Sequence, residues 1–345
     1  MRLRGVCYDV GRVIGGLSTR PVFDPRVVHR ELEIIRHDLH CNAVRICGSD
    51  IDRVTTAAEE ALHQGLEVWF TPELFEHGQN ETLEYIVSAA QSAERLRRDW
   101  PGHVVLSVGT ELTIFMQGIL AGDHFAERIA AASFGAHITS GAHNAPLNAF
   151  LAKATELVRS LFEGPVTYAS APFEAVDWSI FDVVCVDLYR DARISTTFAN
   201  VLGPYFGHQR PVVISEVGCC TYRGAEDAGG MGWAIVDYTK TPLRLDDDYE
   251  RDETLQAREL AGQLDLLDSQ GIDGAFVMTF VSPILTHHDD RRSDLDMSSY
   301  SLVKSYANQT GTTYPDMPWE PKQSFKALAE YFVAGQREQR LSSAP

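Results

Sequence analysis

Eight short apolar segments recur along the chain, and this repetition limits the folds that the sequence can adopt. Helical patterns separate most of the segments, and one of them begins with Asp24-Pro25, a typical helix start. Alternating strands and helices indicate a parallel sheet. Eight such units in 345 residues, without a clear linker, predict a single (β/α)8 barrel over residues 1–335. The segments are residues 3–8, 42–47, 67–71, 103–112, 165–169, 181–188, 211–220 and 274–280.

A doubly wound sheet is the alternative fold for such a pattern. Its first turn would carry a Gly-x-Gly-x-x-Gly motif, and Gly11, Gly15 and Gly16 do not have that spacing. In the barrel, the segments after strands 4, 7 and 8 are long loops, and we expect them to cover the end where strands finish. Residues 336–345 are polar, which predicts a flexible C-terminal tail.

Charge and composition argue against two kinds of partner. The chain has 30 Lys and Arg against 48 Asp and Glu, a net charge of −18, so we expect no nucleic acid. Its apolar runs fall short of the ~20 residues that span a membrane. The N-terminus lacks a signal-peptide pattern, and most of the six Cys lie in apolar segments, as reduced thiols do. We therefore expect a cytoplasmic protein.

Two of the apolar segments end on a glutamate. Glu111 ends the fourth segment and Glu216 the seventh. A carboxylate is costly to bury without a partner, so each acid either caps a loop, pairs with an arginine or has a function. Functional groups of a barrel gather at the carboxyl ends of its strands, and a pair of carboxylates there is what glycosidic bond cleavage needs.

Side-chain parity suggests that both acids face the barrel interior. Val105 and Ser107 share the parity of Glu111, and Val212 and Ile214 share that of Glu216, because side chains alternate along a strand. We therefore expect each set to point inward and the two carboxylates to meet in one cavity.

Neighbouring strand ends supply candidate supporting residues. Arg45 lies inside the second segment and requires an anion, for which Glu216 is the expected partner and another acid the alternative. Asp187 and Tyr189 share inward parity on the sixth strand. We expect Tyr189 to donate a hydrogen bond to Glu216 and to hold it ionised, with a rim aromatic as the alternative.

Further acids and aromatics lie close to strand ends. For Glu73, Asp9 and Glu174 a loop or salt-bridge role is favoured over catalysis, although such acids often hold sugar hydroxyls. Trp233 and Phe280 are candidates to stack on a sugar ring, and core packing is an equal alternative for Phe280.

The motifs together resemble the clan of retaining glycoside hydrolases that includes cellulases, β-mannanases and β-galactanases. The matching motifs are Val108-Gly-Thr-Glu-Leu112, Ile214-Ser-Glu-Val-Gly218, the arginine of Ala43-Val-Arg-Ile46 and the tyrosine after strand 6. The resemblance implies that Glu111 is the acid/base and Glu216 the nucleophile, that the substrate is a carbohydrate, and that no cofactor or metal takes part.

Two positions depart from the pattern of that clan. Thr110 stands where most members have an Asn that holds the sugar 2-hydroxyl, and Phe280 stands where many have a Trp. The usual substrate preference of the clan is therefore not implied. The same departures permit a barrel that binds sugar without catalysis.

A third function is a metal-dependent sugar isomerase or lyase. Such a barrel would use Glu111, Asp187 and Glu216 as oxygen ligands for Mg²⁺ or Mn²⁺. Its sites usually also recruit His, on which none of the eight segments ends. The cluster His287-His288-Asp289-Asp290 lies in a loop, where a solvated turn is favoured. The sequence gives no oligomeric state.

Overall fold

A closed barrel of eight parallel strands forms the centre of the protein. The computed structural model describes the backbone of residues 1–342 and the side chains of residues 1–198 and 200–335. Every barrel strand pairs in parallel with its two neighbours, and β1 closes the ring by pairing with both β2 and β8. The strands are β1 (Leu3–Asp9), β2 (Ala43–Gly48), β3 (Glu67–Pro72), β4 (Val104–Thr110), β5 (Val166–Ser170), β6 (Val184–Asp187), β7 (Val212–Val217) and β8 (Gly274–Val277).

The closed ring confirms the predicted single (β/α)8 barrel. A doubly wound sheet is open and has two edge strands, so it is excluded by the pairing of β1 with β8. The described residues contain no helix with the length and apolar character that crossing a membrane requires.

Within residues 1–342, six long helices lie around the barrel. Helix α1 begins as predicted, with the Asp24 side chain accepting a hydrogen bond from the Arg26 N–H and Pro25 at the first helical position. The last helix continues to Ser342. The helices are α1 (Pro25–His37), α2 (Ile51–His63), α3 (Gln79–Asp99), α4 (Asn144–Arg159), α5 (Glu253–Ser269) and α6 (Gln323–Ser342).

The predicted tail over residues 336–345 stays a prediction. Residues 343–345 lie outside the described part of the chain, as do the side chains of 336–342.

The connections between strands differ in length and form. After β5 and β6 the chain makes only short helical turns, Trp178–Ile180, Phe198–Leu202 and Gly203–Phe206, instead of a long helix. The long segment after β4 contains three short helices, Leu112–Phe115, Phe125–Ala130 and Phe134–Ser140, in agreement with an elaborated loop.

Alternate residues of each strand belong to two apolar clusters. On β1, Val6 and Tyr8 pack outward into the cluster that includes the helices, whereas Cys7 packs inside the barrel. The inner cluster contains Trp69 and Phe276, whose ring centroids are 5.0 Å apart. This cluster fills the barrel interior. Inward-pointing side chains that follow it along the strands therefore lie at the carboxyl end of the barrel.

Candidate active site

Glu216 is held at the end of β7 by an arginine and a tyrosine. Arg45 Nη1 donates to Glu216 Oε1 at 2.8 Å, and the Tyr189 hydroxyl donates to Oε2 at 2.8 Å. Both contacts were predicted. Arg12 Nη2 lies 3.6 Å from Oε1 as well. Burial raises the pKa of Glu216, but the charges of Arg45 and Arg12 and these hydrogen bonds outweigh it, so the pKa falls below its usual value.

A β-bulge turns Glu216 into the barrel. Val213 packs inside, whereas Val212 and Ile214 pack outward, so the predicted inward parity of these two is wrong. Strict alternation would then send Glu216 outward. The register of β7 shifts after Ile214 against both neighbouring strands, and as a result Ser215 and Glu216 both point inward.

Strand β4 carries a similar irregularity directly before Glu111. Its register against β5 shifts between Ser107 and Thr110. Glu111 itself has φ 42° and ψ 45°, a left-handed conformation that is unusual for a residue with a side chain. Such backbone costs on the order of 1–3 kcal/mol and persists only where the surroundings impose it.

The Glu111 carboxyl group lies in a very different environment from that of Glu216. It has no hydrogen-bond partner among the side chains that the structure describes, although its N–H donates to Ala169 O at 2.8 Å. Burial raises the pKa of Glu111 well above its usual value, and the charges of Asp187, Glu216 and Glu174 raise it further. The pKa values of the two glutamates are thus shifted in opposite directions, which favours the protonated form of Glu111 and the ionised form of Glu216.

Tyr168 and Glu174 hold the chain directly after Glu111. The Leu112 N–H donates to the Tyr168 hydroxyl oxygen at 2.6 Å, and the Thr113 N–H donates to Glu174 Oε1 at 3.1 Å. The Tyr168 O–H points to Glu174, whose oxygens lie 3.0 and 2.9 Å away. This agrees with the loop role that was favoured for Glu174, and the loop is the one that carries Glu111.

Glu73 joins the two arginines. Its Oε2 lies 2.6 Å from Arg12 Nε, and its Oε1 accepts hydrogen bonds from Arg45 Nη2 at 3.3 Å and from the Thr110 hydroxyl at 2.9 Å. Thr110 in turn accepts from Arg45 Nη2 at 2.7 Å. The salt-bridge role favoured for Glu73 is thus observed, and the Thr110 hydroxyl is directed to this network.

Arg12 was missed by sequence reasoning. Asp9, at the end of β1, accepts hydrogen bonds from the N–H groups of Gly11 and Arg12 at 2.8 and 3.2 Å, which shapes the turn that presents Arg12. A cation three residues after a strand-end acid was the available signal, but its direction depends on this turn. Asp9 therefore has the loop role that was favoured for it.

Asp187 lies beside Glu216 on the neighbouring strand β6 and is 1% exposed. The Ser215 hydroxyl donates to its Oδ1 at 2.5 Å, while Oδ2 is buried without a hydrogen-bond partner among the described residues. Burial and the charge of Glu216 raise the pKa of Asp187 well above its usual value.

Phe280 does not face the site: of the two equal alternatives given for it, core packing is observed and stacking on a sugar is not. It is fully buried, and its ring lies 5.4 Å from Trp319 and 6.5 Å from Phe325, at the start of α6. Strand β8 ends at Val277, so Phe280 lies beyond the strand end. The half-buried Met278 follows β8 directly and packs against both the inner barrel cluster and the cluster beside Tyr189.

Trp233 belongs to a row of aromatic rings over the barrel mouth. Phe75 after β3, Phe115 and Phe125 after β4, and Trp233 after β7 follow one another with centroid distances of 4.0, 4.9 and 5.9 Å. We call these four residues the aromatic row. Trp233 is half-buried and thus remains partly accessible, as a ring-stacking role requires.

Among the described residues, no group of three or more His, Cys, Asp or Glu is arranged to hold a metal ion. In the loop cluster, His287 Nδ1 lies 3.0 Å from Asp294 Oδ1, and His288, Asp289 and Asp290 are exposed. This agrees with the solvated turn that was favoured there.

Comparison with known proteins shows a shared fold. No family model and no curated sequence matches the chain. Among solved structures, a GH113 β-mannanase from Alicyclobacillus acidocaldarius superposes with a TM-score of 0.60 and 16% identity, over 96% of this chain and 97% of that one. A β-glucuronidase from Parabacteroides merdae gives 0.58 and 15%, over 96% of this chain but 36% of that one. A β-glucosidase gives 0.52 and 11%, over 97% and 99%.

These neighbours have the fold of the glycoside hydrolase clan that the sequence motifs resemble, so the resemblance is confirmed for the fold. At 11–16% identity the likeness does not extend to individual residues or substrates.

Proposed function

We propose that the protein is a retaining glycosidase that cleaves a small oligosaccharide or glycoconjugate, with Glu216 as the nucleophile and Glu111 as the acid/base. One observation carries the proposal. Two glutamates at the same end of the barrel have opposite environments, one ionised by two arginines and a tyrosine and one kept protonated by burial. Retaining hydrolysis needs one carboxyl group in each state.

In the first step Glu216 attacks the anomeric carbon. Glu111 donates its proton to the glycosidic oxygen as the bond from that oxygen to the anomeric carbon breaks, which releases the alcohol and leaves a glycosyl ester on Glu216. Arg45 and Tyr189 bond both oxygens of Glu216 in the free enzyme. They therefore fix its direction as well as its charge.

In the second step water attacks the same carbon and frees Glu216. Glu111, now a carboxylate, takes the proton of that water. The charge of Glu216 is one of the causes that raise the pKa of Glu111, and the ester has no such charge. The pKa of Glu111 therefore falls in the intermediate, where a base is needed.

A short, neutral substrate fits this site better than a uronide. Arg12 and Arg45 are already paired with Glu73 and Glu216, so they offer little positive charge to a sugar carboxylate. The aromatic row joins the loops after β3 and β4 to the loop after β7 on the other side of the ring, so these loops cover part of the mouth, which favours exo action. A cytoplasmic location, which we also propose, would supply short imported sugars or intracellular glycosides rather than polymers.

The test is incubation with a panel of aryl glycosides and 2-fluoro glycosides, followed by intact mass measurement and peptide mapping. We expect one sugar adduct, on Glu216, and no turnover by Glu216→Ala. Turnover of that variant above a small fraction of wild type would disprove the nucleophile role. Activity lost on adding EDTA would instead indicate the metal-dependent isomerase or lyase. Sugar binding without adduct or turnover would indicate a non-catalytic barrel.

A further inference from the structure

We propose that Tyr168 and Glu174 are positioning residues that aim the carboxyl group of Glu111 at the leaving-group oxygen, an inference that rests on the proposed function. They touch neither carboxylate of the reaction. They bind the two peptide N–H groups that directly follow Glu111, those of Leu112 and Thr113. The pair therefore acts on the acid/base through its backbone.

The backbone conformation of Glu111 explains why positioning residues are needed. Its left-handed conformation reverses the chain between β4 and the short helix Leu112–Phe115. On the strand side, the Glu111 N–H is held by Ala169 O. On the other side, the first helical N–H groups lack partners within a helix of four residues. Tyr168 and Glu174 supply those partners, so Glu111 is fixed from both directions.

Glu174 acts as a hydrogen-bond acceptor and not as a member of an ion pair. It is 4% exposed, and its oxygens accept from the Thr113 N–H, the Ala171 N–H and the Tyr168 hydroxyl. Among the described residues it forms no ion pair. Burial raises the pKa of Glu174, while the three donors around its carboxyl group act in the opposite direction and favour the carboxylate form.

The same carboxylate has an electrostatic effect on Glu111. Its charge adds to burial in raising the pKa of Glu111. Asp187 from β6 and Glu216 from β7 also raise that pKa and Arg45 from β2 lowers it, while Tyr168 from β5 faces Glu111 as well. Removing the charge at Glu174 should therefore lower the pKa of Glu111, the group that must stay protonated.

The dependence of kcat/KM on the leaving group distinguishes a misplaced acid/base from a destabilised protein. A dinitrophenyl glycoside needs no proton to depart, whereas a phenyl glycoside does, so loss of acid catalysis affects only the second. For Glu174→Gln and for Tyr168→Phe we expect kcat/KM on the phenyl glycoside to fall at least about tenfold and on the dinitrophenyl glycoside to stay within about threefold. The alkaline limb of the phenyl profile should also move to lower pH in Glu174→Gln.

Two further variants make the outcome decisive. Glu111→Ala is the reference, because it removes the acid/base itself. It should show the largest difference between the fall of kcat/KM on the phenyl glycoside and that on the dinitrophenyl glycoside. Glu94→Gln is the matched control, because Glu94 is a buried acid that bonds Arg97 and Arg98 near the end of α3, before β4 begins. Any change in kcat/KM caused by this control should be equal for the phenyl and the dinitrophenyl glycoside.

The two proposals fail in different ways. If Glu111→Ala loses activity on both substrates alike, the acid/base role itself is wrong. If Glu111→Ala discriminates between the substrates but Tyr168→Phe and Glu174→Gln do not, only the positioning role is overturned. Tyr168→Phe keeps the buried ring, so it provides this readout even if Glu174→Gln does not fold.

Discussion

Arg45 and Glu216 form a buried ion pair in which one guanidinium nitrogen, Nη1, donates a hydrogen bond to the proposed nucleophile at 2.8 Å. The other nitrogen, Nη2, bonds the Thr110 hydroxyl at 2.7 Å and Glu73 at 3.3 Å. One planar group thus connects the end of β7 with the residue next to Glu111. A planar fork can make these contacts together, whereas an ammonium group is a point charge.

Arg45→Lys should therefore lower activity although it keeps the charge. A hydrogen bond to a charged group contributes about 1.5–3 kcal/mol, so we expect kcat/KM to fall on the order of 10- to 100-fold. The acid limb of the pH profile should move to higher pH, because Arg45 lowers the pKa of Glu216. Steady-state kinetics across pH would check this. An unchanged acid limb would show that Arg45 does not control the ionisation of Glu216.

Tyr189→Phe removes one hydrogen bond and keeps the ring. Since the Tyr189 hydroxyl lowers the pKa of Glu216, its loss should also move the acid limb upward and reduce kcat/KM by roughly 10-fold or more. Tyr314→Phe is a suitable control, because the Tyr314 hydroxyl bonds the exposed Asp38. Equal pH profiles for the two variants would contradict the role of Tyr189.

The pH dependence should differ between the two chemical steps. In the free enzyme the ionised Glu216 sets the acid limb and the protonated Glu111 the alkaline limb. In the glycosyl-enzyme the charge of Glu216 is gone, so the pKa of Glu111 falls and hydrolysis should stay fast at low pH. Reactivation of a purified 2-fluoroglycosyl enzyme, followed by mass across pH, measures this. A reactivation rate that rises only where free Glu111 would ionise argues against the coupling.

Phe280 and Met278 should separate stability from substrate binding. Phe280→Ala empties a fully buried site in the core and should reduce the free energy of unfolding by about 3–5 kcal/mol, with little change in KM for the folded enzyme. Met278→Ala changes a half-buried side chain at the mouth and should alter KM with a smaller loss of stability. Chemical denaturation and steady-state kinetics on both variants check this. A larger KM change in Phe280→Ala would mean that Phe280 reaches the substrate.

The strand ends that bear Glu111 and Glu216 could be predicted because the signal is local: an apolar segment that finishes on an acid. The way Glu216 comes to point inward could not. It depends on the bulge after Ile214, which is defined by the pairing of β7 with strands distant in sequence. Parity counted along one segment placed Val212 and Ile214 on the wrong face for the same reason.

Arg12 and Phe280 show two other limits of the sequence. Arg12 reaches Glu73 and Glu216 because the backbone folds around Asp9, and loop direction is not encoded in a periodic pattern. Phe280 extends the apolar run of β8 past Thr279, and the hydrogen-bonding ladder shows that the strand stops at Val277. The contacts of Arg45 and Tyr189 with Glu216 could be predicted from strand-end positions, whereas the bulge, the end of β8 and the turn before Arg12 could not.

The aromatic row makes three loops interdependent. In many barrels a loop can be exchanged without disturbing its neighbours, which allows specificity to change one loop at a time. Here Phe75, Phe115, Phe125 and Trp233 contact one another across the loops after β3, β4 and β7. A graft of one loop alone would leave unmatched rings on the others. Altered substrate range in this lineage should therefore arise from concerted changes in all three loops.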